Sequence, residues 1–298
     1  MANAIEVRGL TYQPGRSFAI RDMNLTVPAG SIYGFLGPNG AGKSTTIRLL
    51  LGMARPEAGE IRVLEGRVPN DIARILARTG YVPERPHLYP GLTGHEAIRS
   101  HSAFYPTWDA AWSSQLQEQL RIPLDRTIGS MSKGEVGKLM MLLALSQRPE
   151  LLILDEPTDG LDPMVRRDVL SALLEYVAET KATVFVSSHL VHELERICDW
   201  VGVLDHGRMV AELPIDVFKK GVKRLRLSEA PAEVGNAPFT VLSRSRNGSG
   251  TSEVWVVRGW EDSMSQYLQG RGANVREVID LDLEEVFVEF LRSSRAVR

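Results

Sequence analysis

The chain has 298 residues, 43% of them hydrophobic, with 35 Lys plus Arg against 37 Asp plus Glu and a formal net charge of −2. That balance excludes a polyelectrolyte built for bulk nucleic-acid binding, and the length allows one large or two moderate domains with ample core. Cys198 is the sole cysteine, so no internal disulfide can form, a reducing compartment fits, and the residue reads as a small buried apolar group.

The first ten residues carry Glu6 and Arg8 and no apolar block, which argues against a signal peptide. No apolar run reaches the roughly 18 residues of a spanning helix. Residues 4–9 and 24–27 read as strands of a small N-terminal sheet. Pro28-Ala29-Gly30 turns the chain into residues 32–36, a short buried strand. Then comes Gly37-Pro38-Asn39-Gly40-Ala41-Gly42-Lys43-Ser44-Thr45, which fits the phosphate-loop pattern G-x-x-x-x-G-K-[ST]. Residues 44–51 read as a helix, so the motif sits in the strand, glycine turn and helix context that it needs. Glycines let backbone N–H groups close around an anion, and the helix start adds positive dipole. Lys43 is placed to reach the β- and γ-phosphates, and the Ser44 hydroxyl to ligate Mg²⁺.

Residues 56–60 form another turn, and 61–64 read as an edge strand. A helix is expected over 70–78 and a short strand over 80–83, leading into Glu84. From about 85 to 147 the texture changes, with prolines at 86, 90, 106 and 123 followed by long helical patterns. This stretch reads as a helical insertion between two halves of an α/β core, with helices over 93–103, 108–120 and 132–146. Ser132 is a good N-cap for the last. Phe104, Tyr105, Trp108 and Trp112 read as packing in the core or against a partner, not as a cofactor box.

Leu151-Leu152-Ile153-Leu154 is continuously apolar, the pattern of a strand covered on both faces in a parallel sheet. It runs straight into Asp155-Glu156-Pro157. Acids at the carboxyl end of a buried strand lie where ligands sit in open α/β sheets. Asp155 is placed to hold Mg²⁺ directly or through water, and Glu156 to accept a proton from an attacking water. A helix is expected over 163–179, a buried strand over 183–186 and a helix over 190–198. Strands over 200–204 and 208–210 close around the turn Asp205-His206-Gly207. Strands alternating with helices indicate a layered α/β fold. Residues 215–298 read as a small α+β appendix. Its strands are expected over 222–227, 239–243 and 253–257, with a hairpin signal at Asn247-Gly248 and helices over 263–268 and 283–291.

Three further pieces lie around the acids. Ser132-Lys133-Gly134-Glu135 opens a helix whose amides could grip a phosphate, Gly160-Leu161-Asp162 follows the acids, and His189 ends Ser187-Ser188-His189. Alone, such a histidine is more often structural. Together with the phosphate loop, Gly80-Tyr81-Val82-Pro83-Glu84 and 151–157, their order and spacing resemble the nucleotide-binding subunit of an ABC transporter over roughly residues 4–213. Leu88-Tyr89-Pro90-Gly91-Leu92-Thr93, the Ser-Lys-Gly wording and an appendix ending near Leu283-Glu284-Glu285-Val286-Phe287 resemble the exporter-type, ABC-2-like subgroup.

The resemblance implies a P-loop NTPase fold, with a nucleotide-binding domain over 1–214, its helical subdomain at about 85–147, and an accessory α+β domain over 215–298. It implies ATP and Mg²⁺ as cofactors. Two ATPase subunits, identical or paired, would meet head to tail, each ATP lying between one loop 37–45 and the other subunit's Ser132 and Gly134. Glu156 corresponds to the general base, and His189 to the residue that contacts the γ-phosphate and positions the water. Asp162 falls in the loop that crosses the dimer interface, and Glu84 stands near the metal. The partner would be an integral membrane permease, the location the cytoplasmic face of the cell membrane, and the function ATP-powered export.

Three departures stand out. The signature, usually Leu-Ser-Gly-Gly-Gln, reads Met131-Ser132-Lys133-Gly134-Glu135. Glu84 replaces the usual Gln, and the adenine-stacking aromatic falls at Pro14, leaving Tyr12 or Phe18 as substitutes. Two rival readings follow: a soluble ABC ATPase in a non-transport process, and a non-hydrolytic nucleotide-gated interaction protein. A single cassette without sustained heptads speaks against the first, and the presence of Glu156 and His189 against the second.

Overall fold

The computed structural model describes residues 2–15, 18–231, 234–235, 237–246 and 252–296. An antiparallel sheet, ordered Ile20–Pro28, Asn3–Tyr12, Ala58–Val63, Gly66–Val68, forms the N-terminal wall. Met23, Leu25 and Val27 on the first strand are buried with a period of two, and on the next Ile5, Val7 and Leu10 are buried, the last after a register shift between Val7 and Leu10. The stretch expected as an edge lies inside the sheet, because the three-residue strand Gly66–Val68 pairs beyond it. Leu64 and Glu65, at φ 46° and 67°, make the tight turn between these strands. Such turns usually carry Asn-Gly, so Leu-Glu gives no warning of a hairpin.

The central sheet has six strands in the order Arg208–Pro214, Trp200–Asp205, Ile32–Leu36, Thr183–Ser188, Leu151–Asp155, Thr79–Val82. All run parallel except the edge strand Arg208–Pro214. Ile32–Leu36, Leu151–Asp155 and Thr183–Ser188 are buried at every position. The reason is that alternate side chains enter two different cores. Tyr33, Phe35, Ile153 and Phe185 pack with Ile47 and Leu50 of the helix Lys43–Leu50 and with the N-terminal wall. Leu36, Leu152, Leu154 and Val184 pack with Leu142 of the helix Lys133–Ser146 and Leu173 of Pro163–Thr180. Every parallel strand therefore points its carboxyl end, where the functional motifs lie, to one rim of the sheet.

Helices Gly94–Ser102 and Ala110–Leu120 begin at Thr93 and Asp109, whose side chains accept the N–H of Glu96 and Trp112. Trp112 is buried beneath Arg148, whose guanidinium sits 4.7 Å from the ring centroid. Phe104 behaves differently and stands exposed. The helix expected over 190–198 shrinks to Val191–Leu194. The chain must turn by Asp199, whose N–H donates to the Ile32 carbonyl and whose carboxylate accepts the Ile32 N–H, just before the next parallel strand begins at Trp200.

A third, antiparallel sheet is ordered Thr240–Arg246, Ser252–Arg258, Val222–Ser228, Asn274–Asp280, over a small core around Leu225, Trp255 and Leu268. The helix Ile215–Lys220 and the strand Asn274–Asp280 were not expected. The strand is an edge dominated by exposed Arg276, Glu277 and Asp280, so it carries little apolar signal. The turn expected at 247–248 lies outside the described residues. The last helix, Leu283–Ala296, returns to the central sheet: Val286 and Phe290 join its core, and Phe290 stacks on Phe218 at 5.1 Å. Among the described residues no helix is long and apolar enough to cross a membrane.

Candidate functional site

The phosphate loop leaves the buried strand Ile32–Leu36 and enters the helix Lys43–Leu50. Two glycines are fixed by close approach. A Cβ on Gly37 would meet the Leu204 carbonyl oxygen at 2.5 Å, and one on Gly42, at φ 115°, would meet the Phe18 ring at 2.6 Å. Lys43 is only 6% exposed. Its ammonium donates to the Gly37 carbonyl at 2.7 Å and pairs with Glu156 Oε1 at 3.0 Å.

The second half comes from the neighbouring strands. Asp155, the last residue of Leu151–Asp155, accepts the Ser187 hydroxyl at 2.6 Å from the adjacent strand. The Glu156 N–H donates to Ser187 Oγ at 3.1 Å. Glu156 itself turns at φ 49°, a conformation uncommon for a residue with a Cβ and typical of functional sites. Its Oε2 accepts from His189 Nδ1 at 2.9 Å and from the His189 N–H at 3.3 Å. The result is a continuous line, Lys43 to Glu156 to His189, in which cation, carboxylate and imidazole hold one another.

This line borders a cavity of about 590 Å³, in the size range of small-molecule sites. Residues 38–45 line it, all but Ala41, together with Phe18, Glu84, Glu156, Asp159 and His189. A neighbouring cavity of about 660 Å³ shares Ser44 and Glu84 with it and adds Asp155. Those three oxygen-bearing groups are suited to Mg²⁺, which takes one or two carboxylates and completes its shell with water and phosphate oxygens. Among the described residues no cluster of three or more His, Cys, Asp or Glu could cage an ion without such help.

Comparison with known proteins agrees with this geometry. The family described as ABC transporter matches residues 20–159, a span that includes the loop and both acids. The bacitracin transport ATP-binding protein of Bacillus licheniformis is 35% identical over 300 residues, covering 98% of each chain. The Nod factor export ATP-binding protein I of Burkholderia orbicola is 34% identical and covers 70% of each. The chain belongs to the ABC transporter ATP-binding family. Among solved structures, the ATP binding subunit of an ABC transporter superposes with TM-score 0.66 at 30% identity, over 73% of this chain and 92% of that one. The chain is accordingly a nucleotide-binding ABC ATPase.

Within this ABC cassette the remaining expected residues scatter. Phe18 lines the cavity beside Gly42, whereas Tyr12 pairs with Ile20 and packs against the N-terminal core, away from the cavity. Ser132 caps Lys133–Ser146: its hydroxyl accepts the Glu135 N–H at 3.2 Å, and Glu135 accepts the Ser132 N–H at 2.7 Å. That backbone bond holds the Glu135 carboxyl below its ordinary range. Gly134 packs against Val165, and Asp162 caps Pro163–Thr180 by accepting the N–H of Met164 and Val165. None of Ser132, Gly134 and Asp162 lines the cavity.

Three polar groups escaped the sequence reading. Ser187 bridges the two acids, as above. Asp159 lines the cavity and pairs with Lys133 at 3.3 Å. Buried Glu193 binds both the Thr158 hydroxyl and Arg166, which ties the segment after His189 to the segment after Glu156. A Ser one strand away from an Asp, or a Glu four residues after a His, carries no signal until the parallel register is known.

Proposed function

We propose that this subunit hydrolyses Mg-ATP at the cavity between the phosphate loop and Glu156, and that a separate membrane permease uses the energy for export. The observation that carries the reading is the Lys43–Glu156–His189 line along the wall of the loop-lined cavity. A γ-phosphate beside Lys43 competes with Glu156 for the ammonium. Lys43 then holds phosphate, and Glu156 Oε1 is released to accept a proton from water. His189 keeps Oε2 occupied through Nδ1, which fixes the carboxylate's aim and leaves Nε2 free to face the phosphate. Ser44, Asp155 and Glu84 are the residues that would hold Mg²⁺, which supplies charge neutralisation on the phosphates when bound. Phe18 is positioned to take the base.

Ser132 and Gly134 lie outside the cavity, which supports a head-to-tail pair in which each helix start serves the other subunit's nucleotide. Export, and a place at the cytoplasmic face of the membrane through the permease, rest on the transport and export named for the two relatives above.

The test is Glu156→Gln. Removing a general base lowers turnover by about 10²–10⁴-fold, while ATP binding should persist because Lys43 and the loop are intact. Phosphate release and nucleotide titration on the same preparation read both. Hydrolysis at the parent rate would overturn the assignment.

A further inference from the structure

Asp205 is a fully buried carboxylate, 0% exposed, that the hydrolytic site does not use. It sits at the end of Trp200–Asp205, where His206 and Gly207, at φ 47° and 75°, turn the chain into Arg208–Pro214. This turn touches the nucleotide site on two sides. The Gly207 N–H donates to the Ala41 carbonyl of the phosphate loop at 2.8 Å, and the Leu204 carbonyl lies against Gly37. The Gly207 carbonyl accepts the Arg21 N–H at 3.1 Å, and a Cβ on Gly207 would collide with the Ala19 carbonyl, next to Phe18. The turn therefore braces both the loop that grips phosphate and the segment that presents Phe18.

The cation that answers Asp205 comes from the far end of the chain. Arg295, in the last helix Leu283–Ala296, approaches side-on, with Nε 3.4 Å from Oδ2 and Nη2 3.4 Å from Oδ1. His206 Nε2 lies farther, at 3.7 Å. Asp205 is buried but the Arg295 side chain is about half exposed, 54%, so what Arg295→Gln removes is the cation that covers a buried carboxylate, and the backbone that carries that carboxylate must adjust. The backbone at risk here is the turn that holds Ala41.

From this we infer that Arg295 and Asp205 are positioning residues for the phosphate loop, through which the C-terminal appendix sets nucleotide affinity. The inference rests on the nucleotide reading of the cavity. Arg295 touches no part of the cavity, so its effect runs through Asp205, the turn and Ala41.

The experiment compares full-length parent, Arg295→Gln, Arg295→Lys and Arg292→Gln by titration with a fluorescent ATP analogue and by steady-state hydrolysis, with thermal melting as a control. Arg292 is on the same helix but, among the described residues, pairs with Glu289 alone. The expected result is a loss of ATP affinity in Arg295→Gln on the order of fivefold or more, the lower end of typical coupling between sites. Turnover at saturating ATP should stay within about twofold. Lysine should recover much of the loss, and Arg292→Gln should match the parent. In an Asp205→Asn background, Arg295→Gln should have no further effect. Parent-like affinity in Arg295→Gln would overturn the inference, as would an equal loss in Arg292→Gln or a loss of melting temperature alone. A parent chain that binds no ATP would instead remove the nucleotide reading, and the inference with it.

Discussion

The two ends of the cassette that the sequence marks for phosphate are built in opposite ways. At the loop end, Lys43 is buried and held by Gly37 and Glu156, Asp155 is held by Ser187, and Glu156 by His189. These side chains hold one another and the loop backbone inside the chain, so that part of the arrangement is pinned before any ligand arrives. At the Ser132 end, the cap is exposed, its capping box held by Glu135 and, through Glu135, by Arg126, and the Lys133–Asp159 pair that reaches the cavity is solvent-exposed. One end is a socket that works from within. The other is a surface that lies outside the cavity.

The sharpest way to break that contrast is to remove Lys43. Lys43→Ala takes away a charge-assisted contact to phosphate, which is worth about 1.5–3 kcal/mol. ATP affinity should fall by roughly 10- to 150-fold on that scale. Glu156 also loses its cation, although His189 still holds its other oxygen. Nucleotide titration checks the loss, and unchanged affinity would mean that the loop is not the socket.

Ser132→Ala probes the opposite end with a smaller effect. Losing the N-cap should cost about 1 kcal/mol of stability, read by urea unfolding. Nucleotide affinity of the isolated subunit should not change, because Ser132 lies outside the cavity. Hydrolysis by the paired subunits should drop. A fall in single-subunit affinity comparable to that of Lys43→Ala would erase the distinction between the two ends.

The same contrast explains what could be read from the amino acids alone. The loop end was legible because it is local: the motif and the run of aliphatics before Asp155 each sit within a few residues. Its partners were not, because Ser187 meets Asp155 and Gly207 meets Ala41 only through the parallel register and a hairpin turn. The Ser132 helix start was legible as a cap, and its phosphate role came only by resemblance. Elements failed where burial is one-sided or brief: the exposed edge strand Asn274–Asp280, the hairpin at Leu64 and Glu65, and the helix cut short before Asp199.

The smallest expected effect tests how dry the floor beneath the loop end is. Tyr33, on the strand that feeds the loop, donates its hydroxyl to Glu212 Oε1 at 2.8 Å, and the Thr26 N–H donates to the same oxygen at 2.8 Å. Burial pushes the Glu212 carboxyl above its ordinary value of 4.5, against the opposing pull of those two donors. Burial and the nearby Glu212 charge also push the Tyr33 hydroxyl well up. For Glu212 the folded state holds the proton more tightly than the unfolded state. Stability contributed by that proton is therefore complete below 4.5 and declines as pH rises through the folded value, then levels off. Glu212→Gln keeps a carbonyl oxygen for both donors and has no proton to lose. The stability difference between variant and parent should be near zero in acid and should grow in the variant's favour toward neutral pH, measured by urea unfolding across that range. A difference independent of pH would show that water reaches this carboxylate, and that the socket's rigidity comes from the Lys43–Glu156–His189 line rather than from a dry floor beneath it.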